Sequence, residues 1–146
     1  MSGRVRMMVL AFAGPVLALL SVLPTGAAMA SPAPPPAISI ACSAEGTKLV
    51  GALSPAAACQ RFVAAFAAAS GRPAVASSTP PDQLRDGLIV ALRFLPQGLA
   101  MASATPVRAG SAGPQQRHEL AVSDRAFAPA DIDRLAADTA KGITAR

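Results

Sequence analysis

Apolar side chains alternate along the chain from Leu88 onward: Leu88, Val90, Leu92 and Phe94 share one parity, and Ile89, Ala91, Arg93 and Leu95 share the other. A period of two places successive side chains on opposite faces of an extended strand. Pro96-Gln97-Gly98 then forms a turn, and the run from Leu99 to Val107 returns as a second strand. A three-residue turn that pairs Leu95 with Leu99 sets Phe94 opposite Ala100, Leu92 opposite Ala102 and Val90 opposite Ala104. One face of this hairpin then carries large residues beside alanines, on which a helix can lie close. The other face carries Arg93, Met101, Ser103 and Thr105 and is the wetter one.

The same patterning reads outward in both directions. In "AISIAC", Ile38, Ile40 and Cys42 share a strand face. Ser54-Pro55 is a helix start, with serine as N-cap and proline at the first helical position. Cys59, Phe62, Val63 and Phe66 then form one apolar helical stripe, and Gly71 stands where a C-terminal cap belongs. A short strand is expected over Ala74 to Ser77, then a turn at Pro80-Pro81. The stretch Arg108 to Arg117 reads as a Gly/Pro/Ser loop, and His118 to Ser123 as a strand with Leu120 and Val122 inward. A last helix starts at Pro129, with Asp131 and Asp133 in its first turn and Lys141 at its end, as the helix dipole favours. Ile132, Leu135, Ala136 and Thr139 form its buried stripe, and Gly142 is expected to stop it.

This order, β-α-β-β-β-β-α, predicts an α+β fold. The expected architecture is a two-layer sandwich: a mostly antiparallel sheet of four to five strands with two helices on one face. It fills a single small domain, residues 38–146.

What precedes that domain changes the picture. Arg4 and Arg6 form a positive head, Met7 to Leu23 is an apolar run, and Ala28-Met29-Ala30 is a small-x-small tail. These are the three parts of a secretory signal peptide, residues 1–30, with cleavage expected between Ala30 and Ser31. The alternative is an uncleaved anchor holding a periplasmic domain at the membrane. The apolar run is at the short edge of a bilayer span and is interrupted by Gly14-Pro15. The Pro-rich leader "SPAPPPA" (residues 31–37) reads as an extended spacer. Loss of Arg4 and Arg6 with the signal peptide lowers the formal charge from +5 to +3. Without clustered Lys and Arg, that charge does not point to nucleic acid. The expected address is periplasmic or secreted, in a bacterial cell.

Export bears on the two cysteines, Cys42 and Cys59. A lipid anchor would need its cysteine directly at the cleavage point, whereas Cys42 follows the proline-rich leader. A zinc site needs about four ligands, and two cysteines with His118 fall short. A thioredoxin-like redox pair wants C-x-x-C, and this spacing is far wider. Both residues instead share a face with the core-facing residues of their elements. In an oxidising compartment a structural disulfide is the expected outcome.

Other candidate chemistry is thin. His118, the single histidine, has no G-x-S-x-G partner motif. A hydrolase using His118 with a serine such as Ser123 is the alternative in the enzyme class. Asp131-x-Asp133 lacks the further ligands of a calcium loop, and capping accounts for it. Asp82 and Asp86 read as a solvated turn. "GSAGPQQR" lacks the Gly-Lys-Ser/Thr ending of a phosphate loop. With no Trp or Tyr, the usual stacking platforms for sugars and single-stranded nucleic acid are missing. Phe127 precedes the last helix and is expected to pack at its start as a hydrophobic staple.

The reading is therefore a small exported binding or structural accessory protein without a catalytic site, cofactor or metal. Its expected contact surface is the second sheet face around Arg93, Met101, Ser103 and Thr105, or an exposed sheet edge. The expected partner is an envelope protein or a second copy of the chain, with the membrane touched only transiently through the signal peptide.

Overall fold

The computed structural model describes residue 26 and residues 29–145, and the folded body spans residues 33–145. The expected signal segment lies outside the described residues apart from positions 26, 29 and 30, so Ala28 is not described. Ala30 and Ser31 are exposed and without regular structure.

Six strands and two helices follow in the order β1 (Ile38–Glu45), α1 (Pro55–Ser70), β2 (Ala74–Ala76), β3 (Gly87–Leu95), β4 (Leu99–Arg108), β5 (Ser111–Ala112), β6 (Gln116–Ala121) and α2 (Pro129–Thr144). The β3–β4 hairpin has the register read from parity: Leu95 pairs with Leu99, Phe94 with Ala100, Leu92 with Ala102 and Val90 with Ala104. Gly98 closes the turn with φ +79° and donates its N–H to Leu95 O at 3.1 Å. A side chain there would collide with the backbone oxygen of Val122, so close approach and backbone conformation both demand glycine.

The sheet is mixed rather than mostly antiparallel. β1 pairs in parallel with both β2 and β3, while β3–β4 and β4–β6 are antiparallel. The reason lies in α1, whose crossover from β1 returns the chain in the same direction and lays β2 beside β1. β2 and β3 then sit on opposite sides of β1, so residues 77–86 must pass β1 to join them.

Both helices cover the face that carries the alternating large residues. Ser54 caps α1 by accepting the Ala57 N–H at 3.1 Å, Pro55 opens it, and Gly71 ends it in the left-handed conformation. Phe62, Val63 and Phe66 are buried with Ile40, Leu88, Val90 and Leu92. Ala100, Ala102 and Ala104 are fully buried, which lets the helical layer approach β4 closely. Each large core side chain contributes about 1.5–3 kcal/mol. Cys42 and Cys59 are joined as a disulfide between β1 and α1. The staple thus ties the sheet to the first helix.

Two local expectations are corrected. The stretch Arg108–Arg117 is not all loop: Ser111 and Ala112 pair back onto Arg108 and Val107, and β6 begins at Gln116. Gly142 does not stop α2, which continues to Thr144. Its missing side chain serves packing instead, because a Cβ there would strike Gln116 and His118. Phe127 packs edge-to-face on Phe94, with ring centroids 5.5 Å apart.

Candidate interaction face

Strand pairing aligns the second face of the sheet in rows. One row runs Glu45–Arg93–Met101–Glu119 across β1, β3, β4 and β6; the next runs Ser43–Ala91–Ser103–Arg117. A third carries Ala41, Ile89 and Thr105. Arg93, Met101, Ser103 and Thr105 are thus brought together on β3 and β4, with Arg93 directly opposite Met101. Arg93 is exposed, and the other three are half-buried.

The face is open over only part of its length. Leu84, from the link between β2 and β3, folds onto Ala41 and Val107 with Ile89 beside them. Thr105 borders this covered end. The rows of Met101 and Ser103 are the open part: Arg93 and Ala91 on β3 and Met101 and Ser103 on β4 stand at the centre, with Glu45 and Ser43 on β1 and Glu119 and Arg117 on β6 to either side. Arg93 reaches Glu45 at 3.2 Å and Arg117 reaches Glu119 at 3.9 Å, all four well exposed. Exposed pairs of this kind add little stability, so these charges remain available to a partner.

The helical layer holds stronger polar contacts that the sequence reading missed. Arg61 on α1 donates to both carboxylate oxygens of Asp133 on α2, at 2.9 and 2.7 Å, and to Pro129 O at 3.0 Å. Asp133 thus latches the helices together rather than capping α2. Asp131 does cap: its carboxylate accepts the Ala128 N–H at 2.8 Å. Ala128 has no side-chain acceptor to reciprocate, and Arg125 completes the site with two bonds of 2.7 and 2.6 Å. Arg125 holds the Asp131 carboxyl below the usual carboxylate range, against the opposing effect of burial. The hydrogen bonds to Asp133 and Asp131 raise Arg61 and Arg125 respectively above their ordinary value. The available signal was an arginine six positions before an acidic first helical turn.

His118 faces the core from β6, opposite Ala102 and beside Gly142 of α2. Its Nε2 is buried and has no hydrogen-bond partner among the described residues. Ser123 is exposed in the link before α2. Asp86, read as part of a solvated turn, accepts the Ala109 N–H at 3.0 Å and so pins the start of β3 to the end of β4. Among the described residues no three His, Cys, Asp or Glu side chains are grouped to hold a metal ion.

The site and fold define an α+β sandwich with one helical face and one partly open sheet face. No protein-family model matches the chain, and no curated protein matches it significantly.

Proposed function

We propose that this protein is an exported, disulfide-stapled accessory domain that presents the open part of its sheet to a partner protein in the cell envelope. The observation that carries the reading is the one-sided layering. Both helices pack on one face, which leaves the Glu45–Arg93–Met101–Glu119 and Ser43–Ala91–Ser103–Arg117 rows without a covering element. Arg93 and Met101 stand side by side in this open part, and arginine and methionine are residue types enriched in protein contacts. The disulfide between Cys42 and Cys59 favours a non-reducing compartment.

A photoreactive residue placed at Ser103 in expressing cells tests the contact. The same residue at Ala68, exposed on α1, is the control. The expected result is a discrete adduct from position 103 alone, lost when Met101→Asp is added. An adduct at twice the mass of the chain assigns the partner as a second copy. No adduct, or equal labelling from both positions, overturns the reading. Intact mass of the recovered protein tests the address separately: a chain starting at Ser31 that takes up two alkyl groups only after reduction supports export.

A further inference from the structure

A groove of about 580 Å³ opens at the opposite end of the sheet from the β3–β4 turn, where β1 and β3 begin and both helices end. Its volume lies in the range of small-molecule sites. Phe66 and Leu88 form the floor, and the half-buried side chains of Ile38 and Ile143 leave apolar surface still in contact with water.

The rim has a different chemistry. Arg72, just beyond α1, and Arg108, at the end of β4, line the groove and are exposed. Among the described residues neither guanidinium makes an ion pair. Asp86 also lines the groove, but its carboxylate accepts the Ala109 N–H at 3.0 Å. Arg85 stands close behind, with its Nη1 beside Gly110. Three arginines therefore stand against one engaged carboxylate and two helix C-termini, each worth about half a negative charge. Among the described residues the local balance is positive. A guanidinium also recognises a carboxylate through a paired hydrogen-bond geometry that requires no long-range field.

We propose that this groove binds a long-chain carboxylate, with the acyl chain along Ile38, Phe66 and Ile143 and the carboxylate between Arg72 and Arg108. The site lies away from the Met101–Ser103 rows, and the proposal is independent of the partner-binding reading.

Titration of purified, disulfide-bonded protein with dodecanoate, below its micelle concentration, tests the assignment by calorimetry. The expected result is saturable binding of one equivalent. Acetate and dodecanol should each bind at least tenfold more weakly. The double variant Arg72→Ala/Arg108→Ala should weaken dodecanoate at least tenfold, while Lys48→Ala, at the other end of the sheet, should leave it unchanged. Amide shifts under dodecanoate should concentrate at Gly87 and Ile143, a readout that needs no variant. Absence of saturable binding overturns the proposal. So do equal affinity for dodecanol, unchanged affinity in the double arginine variant, or shifts centred on the Lys48 end. Tighter binding of a dodecyl phosphate than of dodecanoate would overturn the carboxylate assignment in favour of a phosphate headgroup.

Discussion

Arg125 grips Asp131 through two hydrogen bonds of 2.7 and 2.6 Å, and the gripped carboxylate has a side chain only 1 % exposed. The same oxygen that takes Arg125 Nη1 also takes the Ala128 N–H, so one carboxylate organises the loop and the first turn of α2.

A pH dependence follows from that arrangement. Asp131 is lowered from its ordinary value of 3.8, so the folded state favours its ionised form. Its stabilisation is fully present above the unfolded value and is lost as pH falls through the depressed folded value. Acid unfolding of the parent should therefore show a loss of stability below about pH 4 that Asp131→Asn lacks. At neutral pH, Asp131→Ala should lower stability by about 2 kcal/mol through loss of the cap and the buried pair. Chemical denaturation across pH 2–7 measures both. Identical acid limbs in parent and Asp131→Asn would contradict the assignment.

The Cys42–Cys59 bridge closes a short loop, with its cysteines seventeen positions apart. The chain-entropy model gives about 3 kcal/mol for such a loop, and a domain of this size should lose roughly 10–20 °C in Tm on reduction. The paired variant Cys42→Ala/Cys59→Ala should reproduce the loss without reductant. Thermal unfolding of the three samples is the check.

Gly142 inside α2 presents a sign test. Alanine is about 1 kcal/mol better than glycine in a helix interior, yet a Cβ here would meet Gln116 and His118 of β6. Gly142→Ala is therefore expected to destabilise by about 1 kcal/mol, because overpacking outweighs propensity. In a Gln116→Ala/His118→Ala background, which removes both side chains that the Cβ would meet, the same change should be neutral or stabilising. A stabilising Gly142→Ala in the parent would show that β6 yields easily to α2.

Leu84 is 7 % exposed and packs on Ala41 and Val107. Leu84→Ala should cost about 2 kcal/mol and leave the β3–β4 hairpin intact. Hydrogen exchange should quicken around Ala41 and Val107, with little change at Leu92 and Ala102 on the helical face. Uniform quickening across both faces would mean that the link holds the whole sheet rather than one end.

Which parts were legible in advance follows from the range of the interactions. The helix from Pro55 was readable because its N-cap, its Phe62–Val63–Phe66 stripe and its Gly71 cap are all local. The β3–β4 register was readable because a three-residue turn and strict alternation allow few pairings. The disulfide was readable because Cys42 and Cys59 each sit on a stripe that must face the same core. The Arg93–Met101 proximity came with the hairpin register.

Strand direction was not legible, since Ala74–Ala76 carries the same pattern whether β2 runs parallel or antiparallel to β1. Nor was the fate of the second face: Leu84 is one leucine in a polar link, and only the passage of that link past β1 lays it on Ala41. The Arg61–Asp133 latch joins residues from opposite ends of the domain, and no local period marks such a pair. Gly142 shows the limit most clearly. As a residue type it reads as a helix stop, but packing of Gln116 and His118 against the continuing helix gives it another role. Sequence by itself determined the elements, the hairpin register and the staple, because short-range sterics, capping and hydrophobic period are local properties. Tertiary structure decided the mixed pairing, the partly covered face, the buried Asp131 and the Arg72–Arg108 groove, because each depends on which distant surfaces exclude water together.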